Sequence, residues 1–211
     1  VYHYKGFSLC YREEYELAAW VAYEITPDEL LKNTKASPRF TPDSLIKSGT
    51  ATDADYKGSG YDRGHLAAAA DMRWSERALE ESYFYSNVVP QNGSLNKGRW
   101  KSLEEKIRKW VTQYGPIQIV TGPVFSDKMR RIGPNKVAVP QWYFKAIVAE
   151  FKGEYIAAAY ILPNTKSNNA LSVYMVTIDE IEKKTGLDLF HKLPDTVEKS
   201  IESIITRKYW K

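Results

Sequence analysis

Between residues 61 and 114 the hydrophobic pattern changes period, and that change constrains the fold more than any other feature. Two extended segments come first, one around Tyr61 and one over residues 83–89 that Pro90 closes. From Leu95 onward, Trp100, Leu103, Ile107, Trp110, Val111 and Tyr114 recur at helical spacing, while Arg99, Lys101, Glu105, Arg108 and Lys109 fill the opposite side. Gly115-Pro116 stops the run. Extended, extended, helix is the order of a ββα unit of about residues 61–114.

The rest of the chain reads as the frame for that unit. Residues 20–25 have strand content and end at Pro27, and residues 33–56 form a polar surface excursion with one helical turn. A short helix is predicted within residues 73–83. The second half reads as sheet: residues 117–121, 142–151 and 155–162, the last two joined by the hairpin signal Lys152-Gly153. Trp142-Tyr143-Phe144 reads as sheet core in preference to a platform for stacking bases. Two late helices open on capping boxes, Thr177 with Glu180 and Asp195 with Glu198. No repeat and no flexible linker interrupts the chain, so the expectation is one α+β domain over residues 1–211, a mainly antiparallel central sheet flanked by helices.

The first extended segment carries Asp62, Arg63, Gly64 and His65 in a row. A guanidinium donates to phosphate in pairs and keeps its charge, and an imidazole titrates near neutrality and can take a proton from water. The intervening glycine frees the backbone to approach a neighbour or a ligand. At 100° per residue Asn96 lies about 40° from Trp100 and about 20° from Leu103 and Ile107, with Glu104 about 80° round from it. That puts an amide on the inward stripe. Two uses stay open for it: an oxygen ligand for a hard cation such as Mg²⁺, or a helix cap.

Lys plus Arg exceeds Asp plus Glu by 30 to 26, a formal charge of +4 that is compatible with a polyanionic substrate. The basic loop Lys128, Arg130, Arg131 and Lys136 suits either a phosphate backbone or plain solvation. A lone Cys10 excludes an intramolecular disulfide framework and a cysteine-based zinc cluster. No apolar run reaches the length of a membrane span.

Taken together, Asp62-Arg63-Gly64-His65, then Asn87-Val88-Val89-Pro90-Gln91-Asn92, then Leu95-Asn96-Lys97-Gly98-Arg99-Trp100 with Glu104 resemble the DNA/RNA non-specific endonuclease family of ββα-metal nucleases. Trp20-Val21-Ala22-Tyr23, Tyr61, Asp71-Met72, Thr121-Gly122-Pro123-Val124-Phe125 and Leu162-Pro163-Asn164 extend the match. The resemblance implies catalytic roles for His65 as general base, Arg63 on the phosphate, Asn87 beside the base and Glu104. It implies Mg²⁺, or Mn²⁺ or another divalent cation, held directly by Asn96 and through water by Glu104. Asp62 and Gly64 would support the motif, and Arg63, Arg99, Arg130 and Arg131 would bind substrate. The implied activity is sugar-non-specific cleavage of DNA and RNA leaving 5′-phosphate ends. The alternative is a nucleic-acid-binding or inhibitor-binding domain on the same fold with weak catalysis. A secreted or periplasmic location is expected, and a homodimer and an inhibitor protein are compatible partners. Two departures stand out. Ala68 replaces a proline common in the family, and Glu16 occupies the place where some members carry a phosphate-clamping arginine, leaving Arg12 or another basic residue to substitute.

Overall fold

Alternating side chains in the second half build the sheet on which everything else rests. In the computed structural model, which describes residues 1–210, strands form at β1 (Tyr2–His3), β2 (Ser8–Arg12), β3 (Leu17–Ile25), β4 (Asp62–His65), β5 (Val88–Gln91) and β6 (Ile117–Val124). They continue with β7 (Arg130–Ile132), β8 (Val137–Val139), β9 (Trp142–Phe151), β10 (Glu154–Pro163) and β11 (Met175–Val176). Lys211, the last residue of the expected domain, lies outside the described residues. Seven strands make one sheet in the order β1-β2-β3-β6-β9-β10-β11, every neighbouring pair antiparallel. The β9–β10 turn has Lys152 and Gly153 both at positive φ, as the two-residue hairpin signal requires.

The period-2 pattern sorts β9 between two cores. Tyr143, Ile147 and Ala149 pack on one face with Leu66, Val88, Trp100, Leu103 and Ile107. Phe144, Ala146 and Val148 pack on the other against the late helices α5 (Ile178–Thr185) and α6 (Asp195–Glu202) through Ile178, Ile181 and Ile201. Each of these isoleucines is buried, a contribution of roughly 1.5–3 kcal/mol apiece. Among the described residues, no helix is long and apolar enough to cross a membrane.

The ββα unit sits on the first face. Strands β4 and β5 pair antiparallel as a separate ribbon, with Gly64 opposite Val89 and His65 opposite Val88. The helix that follows, α4, spans Lys101–Tyr114 and is preceded by a π-helical turn, Leu95–Trp100, in which Gly98 leaves the helical region. The single helix expected from Leu95 onward is therefore broken at its start.

 The inserted turn shifts the phase of Asn96 against Leu103 and Ile107, so the inward angle drawn for a continuous α-helix does not carry over.

Two further expectations are corrected. Helix α6 does not begin on a capping box: Asp195 is already its first residue, and the amides of Val197 and Glu198 bond the carbonyl of Pro194 instead. Trp142 is not sheet core. It opens β9 at the end of the sheet, where no layer covers it, and is 43% exposed, whereas Tyr143 and Phe144 are fully buried.

Candidate active site

The ribbon β4–β5 is locked by a steric fit at its centre. A Cβ on Gly64 would stand 2.2 Å from Gln91 Oε1 and 2.5 Å from its Cγ, so only glycine lets the buried Gln91 side chain lie across the strand. Asn87 holds the exit of β4. Its Oδ1 accepts from the Ala67 amide at 2.9 Å, and its Nδ2 donates to the carbonyls of Ala67 and Ser82 at 3.0 and 2.8 Å. With its amide wholly engaged and buried, Asn87 positions the loop after His65 and does not reach toward solvent. Ala68, in the same loop, has φ −64°, a value that proline would also adopt.

The imidazole of His65 lies between the rings of Phe40 and Tyr83, at centroid distances of 5.2 and 4.8 Å. Its Nε2 is buried and makes no hydrogen bond. The His65 carbonyl accepts from the Trp100 indole at 3.3 Å, which ties the motif to the start of α4. Burial lowers the imidazole from its ordinary 6.5 to about 4, because an apolar surround penalises the charged form. At neutral pH the ring is therefore uncharged and able to accept a proton.

Arg63 turns to the same side and shares Phe40 with His65. Its Nε donates to Tyr85 Oη at 2.9 Å and one terminal nitrogen to Asp53 Oδ1 at 2.5 Å, while Tyr85 also donates to Asp53 at 2.6 Å. The guanidinium lies over the rings of Phe40 and Tyr56. Asp53 belongs to the short helix α2 (Asp53–Tyr56), within the excursion that the sequence marks only as polar surface. Nothing in the sequence singles out this carboxylate, ten positions before the arginine it meets.

On the strand's other side, Asp62 accepts from Asn96 Nδ2 at 3.1 Å and from Lys97 Nζ at 3.0 Å. That bond orients the Asn96 amide and leaves its Oδ1 without a hydrogen-bond partner among the described residues. Asn96 is the second residue of the π-helical turn and caps no amide, which removes the capping alternative. No hydrogen bond joins His65 to Asn96; they are linked through the backbone of β4, Asp62 and Trp100.

Glu104 faces a buried charge cluster behind the ribbon. Burial raises its carboxyl to about 7, opposed by the nearby Lys145 and Arg108 charges. Lys145 is fully buried, donates to the Leu66 carbonyl at 3.2 Å and lies 4.8 Å over the Trp100 ring. Arg108 pairs with buried Asp71 at 2.7 Å, and Tyr23 donates to the same carboxylate at 3.1 Å. Lys145 was legible in principle: it interrupts the apolar positions of β9 that face the ββα unit, between Tyr143 and Ile147.

The residues fit a hydrated divalent cation. The oriented, unbonded Oδ1 of Asn96 is a hard oxygen donor, and the Glu104 carboxylate lies in surroundings that a cation would relieve. Among the described residues, the one group of three acids close enough to chelate an ion is Asp179, Glu182 and Glu202, on the opposite face of the sheet.

The remaining arginines differ in how free they are. Arg99 donates to the Asn168 carbonyl at 2.7 Å, and Arg131 to the carbonyls of Glu14 and Lys136 at 2.7 and 3.0 Å. The Arg130 guanidinium lies 5.7 Å over the Tyr61 ring and makes no hydrogen bond or ion pair among the described residues. Glu16 is folded into the β2–β3 turn at φ 55°, where its carboxylate accepts from Tyr11 Oη at 3.0 Å. Arg12 is paired with Glu14 at 2.5 Å.

A family model described as DNA/RNA non-specific endonuclease matches residues 1–196. The chain belongs to this family. Mitochondrial endonuclease G of Bos taurus is 36% identical over 197 residues, 86% of this chain and 66% of that protein. The mitochondrial nuclease of Saccharomyces cerevisiae is 33% identical over 219 residues, 92% of this chain and 67% of that protein. The chain thus spans about two thirds of the length of these curated relatives. A solved structure, the crystal structure of the EndoG/EndoGI complex, superposes with a TM-score of 0.87 at 29% identity, covering 93% of this chain and 87% of that one. Family membership agrees with the α+β fold and the antiparallel sheet, and the relatives' names do not favour a domain that binds without turnover. One expectation is overturned. The nuclease relatives are named as mitochondrial, in cattle, human and two yeasts, against a secreted or periplasmic location.

Proposed function

We propose that this chain is an endonuclease that hydrolyses phosphodiester bonds of DNA and RNA, with His65 as general base and Mg²⁺ as the metal ion. The observation that carries the reading is the His65 imidazole, held between the rings of Phe40 and Tyr83, with the Arg63 guanidinium over the same Phe40 ring. Because Nε2 is enclosed, Nδ1 is the nitrogen that takes the proton from the attacking water, a contribution of roughly 10²–10⁴-fold. Arg63, held at its Nε by Tyr85, neutralises the phosphate oxygens with its terminal nitrogens, one of which Asp53 holds in the absence of substrate. Asn96 Oδ1 would hold the cation, with Glu104 as the outer carboxylate. When bound, the ion supplies charge stabilisation to the phosphate and to the leaving 3′ oxygen. None of these groups reads a base edge, so cleavage tolerates sequence and sugar. A mitochondrial compartment and a protein inhibitor as partner follow from the relatives.

The test is incubation of plasmid DNA and of RNA with wild type and His65→Ala, with Mg²⁺ or with chelator. Both polymers should be cut only by wild type and only with the metal. Equal cleavage by the two proteins would overturn the assignment of the base.

A further inference from the structure

Beside the ribbon lies a cleft of about 390 Å³, lined by Tyr61, Arg130, Gln141, Trp142, Pro163 and Asn164 among others. Its size falls within the range of small-ligand sites. We infer that this cleft binds one unstacked nucleotide of a single-stranded substrate, the base on Trp142 and the phosphate on Arg130. The inference rests on the endonuclease reading above and deepens it to a substrate form.

Three observations support it. Trp142 is a large aromatic ring left 43% exposed at a cleft wall, where stacking on a base would cover it. Arg130 is the member of the arginine set whose donors are all uncommitted, since Arg63, Arg99 and Arg131 each bond within the protein. Tyr61 holds its guanidinium from one face and directly precedes the Asp62–His65 strand.

The cleft is also rigidly joined to the catalytic ribbon. Asn164 is buried in its floor, where Nδ2 donates to the carbonyls of Pro90 and Pro140 at 3.0 and 2.9 Å. Its Oδ1 accepts from the Asn92 amide at 2.7 Å, and its own amide donates to the Gln141 carbonyl at 2.8 Å. Pro90 and Asn92 flank the end of β5, so a nucleotide in the cleft would fix the strand relative to His65.

Single strands are favoured for a physical reason. A base inside a duplex is already stacked on both faces and must be extruded, at a cost of a few kcal/mol, before it can meet Trp142. An unpaired base meets it at once.

The experiment measures binding of a labelled dT homopolymer and of the dA·dT duplex of equal length, in chelator so that neither is cut. Wild type, Trp142→Ala and Trp142→Phe are compared. Trp142→Ala should weaken single-strand binding by roughly 5- to 100-fold. Its duplex binding should stay within about two-fold, which also reports that the variant is folded, and Trp142→Phe should keep most of the single-strand affinity. Unchanged single-strand binding by Trp142→Ala, or an equal loss on both polymers, would overturn the inference alone. If wild type binds neither polymer, the endonuclease reading fails and this inference with it.

Discussion

Gly64→Ala tests whether the ribbon is built by the steric fit between Gly64 and Gln91. The added methyl would stand 2.2 Å from Gln91 Oε1, 2.4 Å from Cδ and 2.5 Å from Cγ. Carbon atoms in contact sit about 3.5–4.0 Å apart, so Gln91 would have to move by more than about 1 Å. It has nowhere to go, because its side chain is fully buried and the clash reaches Cγ as well as the mobile amide. Overpacking of this kind costs roughly 1–3 kcal/mol. Gln91 is a suitable partner for a double-mutant cycle because both its amide atoms are buried without hydrogen bonds, so removing them breaks no pair. Urea unfolding of wild type, Gly64→Ala, Gln91→Ala and the double variant gives the cycle. The alanine at position 64 should destabilise wild type by about 1–3 kcal/mol and the Gln91→Ala background by less than about 0.5 kcal/mol. Since His65 is the next residue, kcat should fall by roughly 10²-fold in the single variant and partly recover in the double one. A neutral Gly64→Ala, or strictly additive effects, would refute the steric account.

Three further outcomes follow from the site. Burial lowers the His65 imidazole to about 4, so the acid limb of kcat/KM governed by this group should lie well below the ordinary 6.5; a limb at the ordinary value would refute the buried base. The same shift makes the unfolded chain bind this proton first, so the His65 contribution to stability is complete above 6.5 and is lost as pH falls toward 4, measurable by urea unfolding across that window. Asp53→Asn should remove a carboxylate that competes with phosphate for Arg63 and lower KM for polynucleotide a few-fold at low salt, the gain shrinking as salt rises. A raised KM would show instead that Asp53 aids substrate binding by holding Arg63 in place.

The sequence by itself determined the ribbon-then-helix order, the β9–β10 hairpin and the family, because short-range periodicity, turn chemistry and motif spacing are local properties. It also named Asp62, Arg63, His65, Asn96 and Glu104 as a set. It could not show that Asp53 and Tyr85 grip Arg63, that Lys145 and Asp71 lie in one buried charge cluster with Glu104, or that Trp142 stays uncovered. Those relations join residues far apart in the chain, and only the packed sheet brings them together. The Asn96 case shows the limit most clearly. Local spacing supplied the residue but gave its direction on a regular helix, whereas the π-helical turn and the bond to Asp62 decide where its oxygen is free. The same holds for His65: composition supplies an imidazole, and the rings of Phe40 and Tyr83, brought in from separate segments, supply the apolar surround that disfavours its charged form.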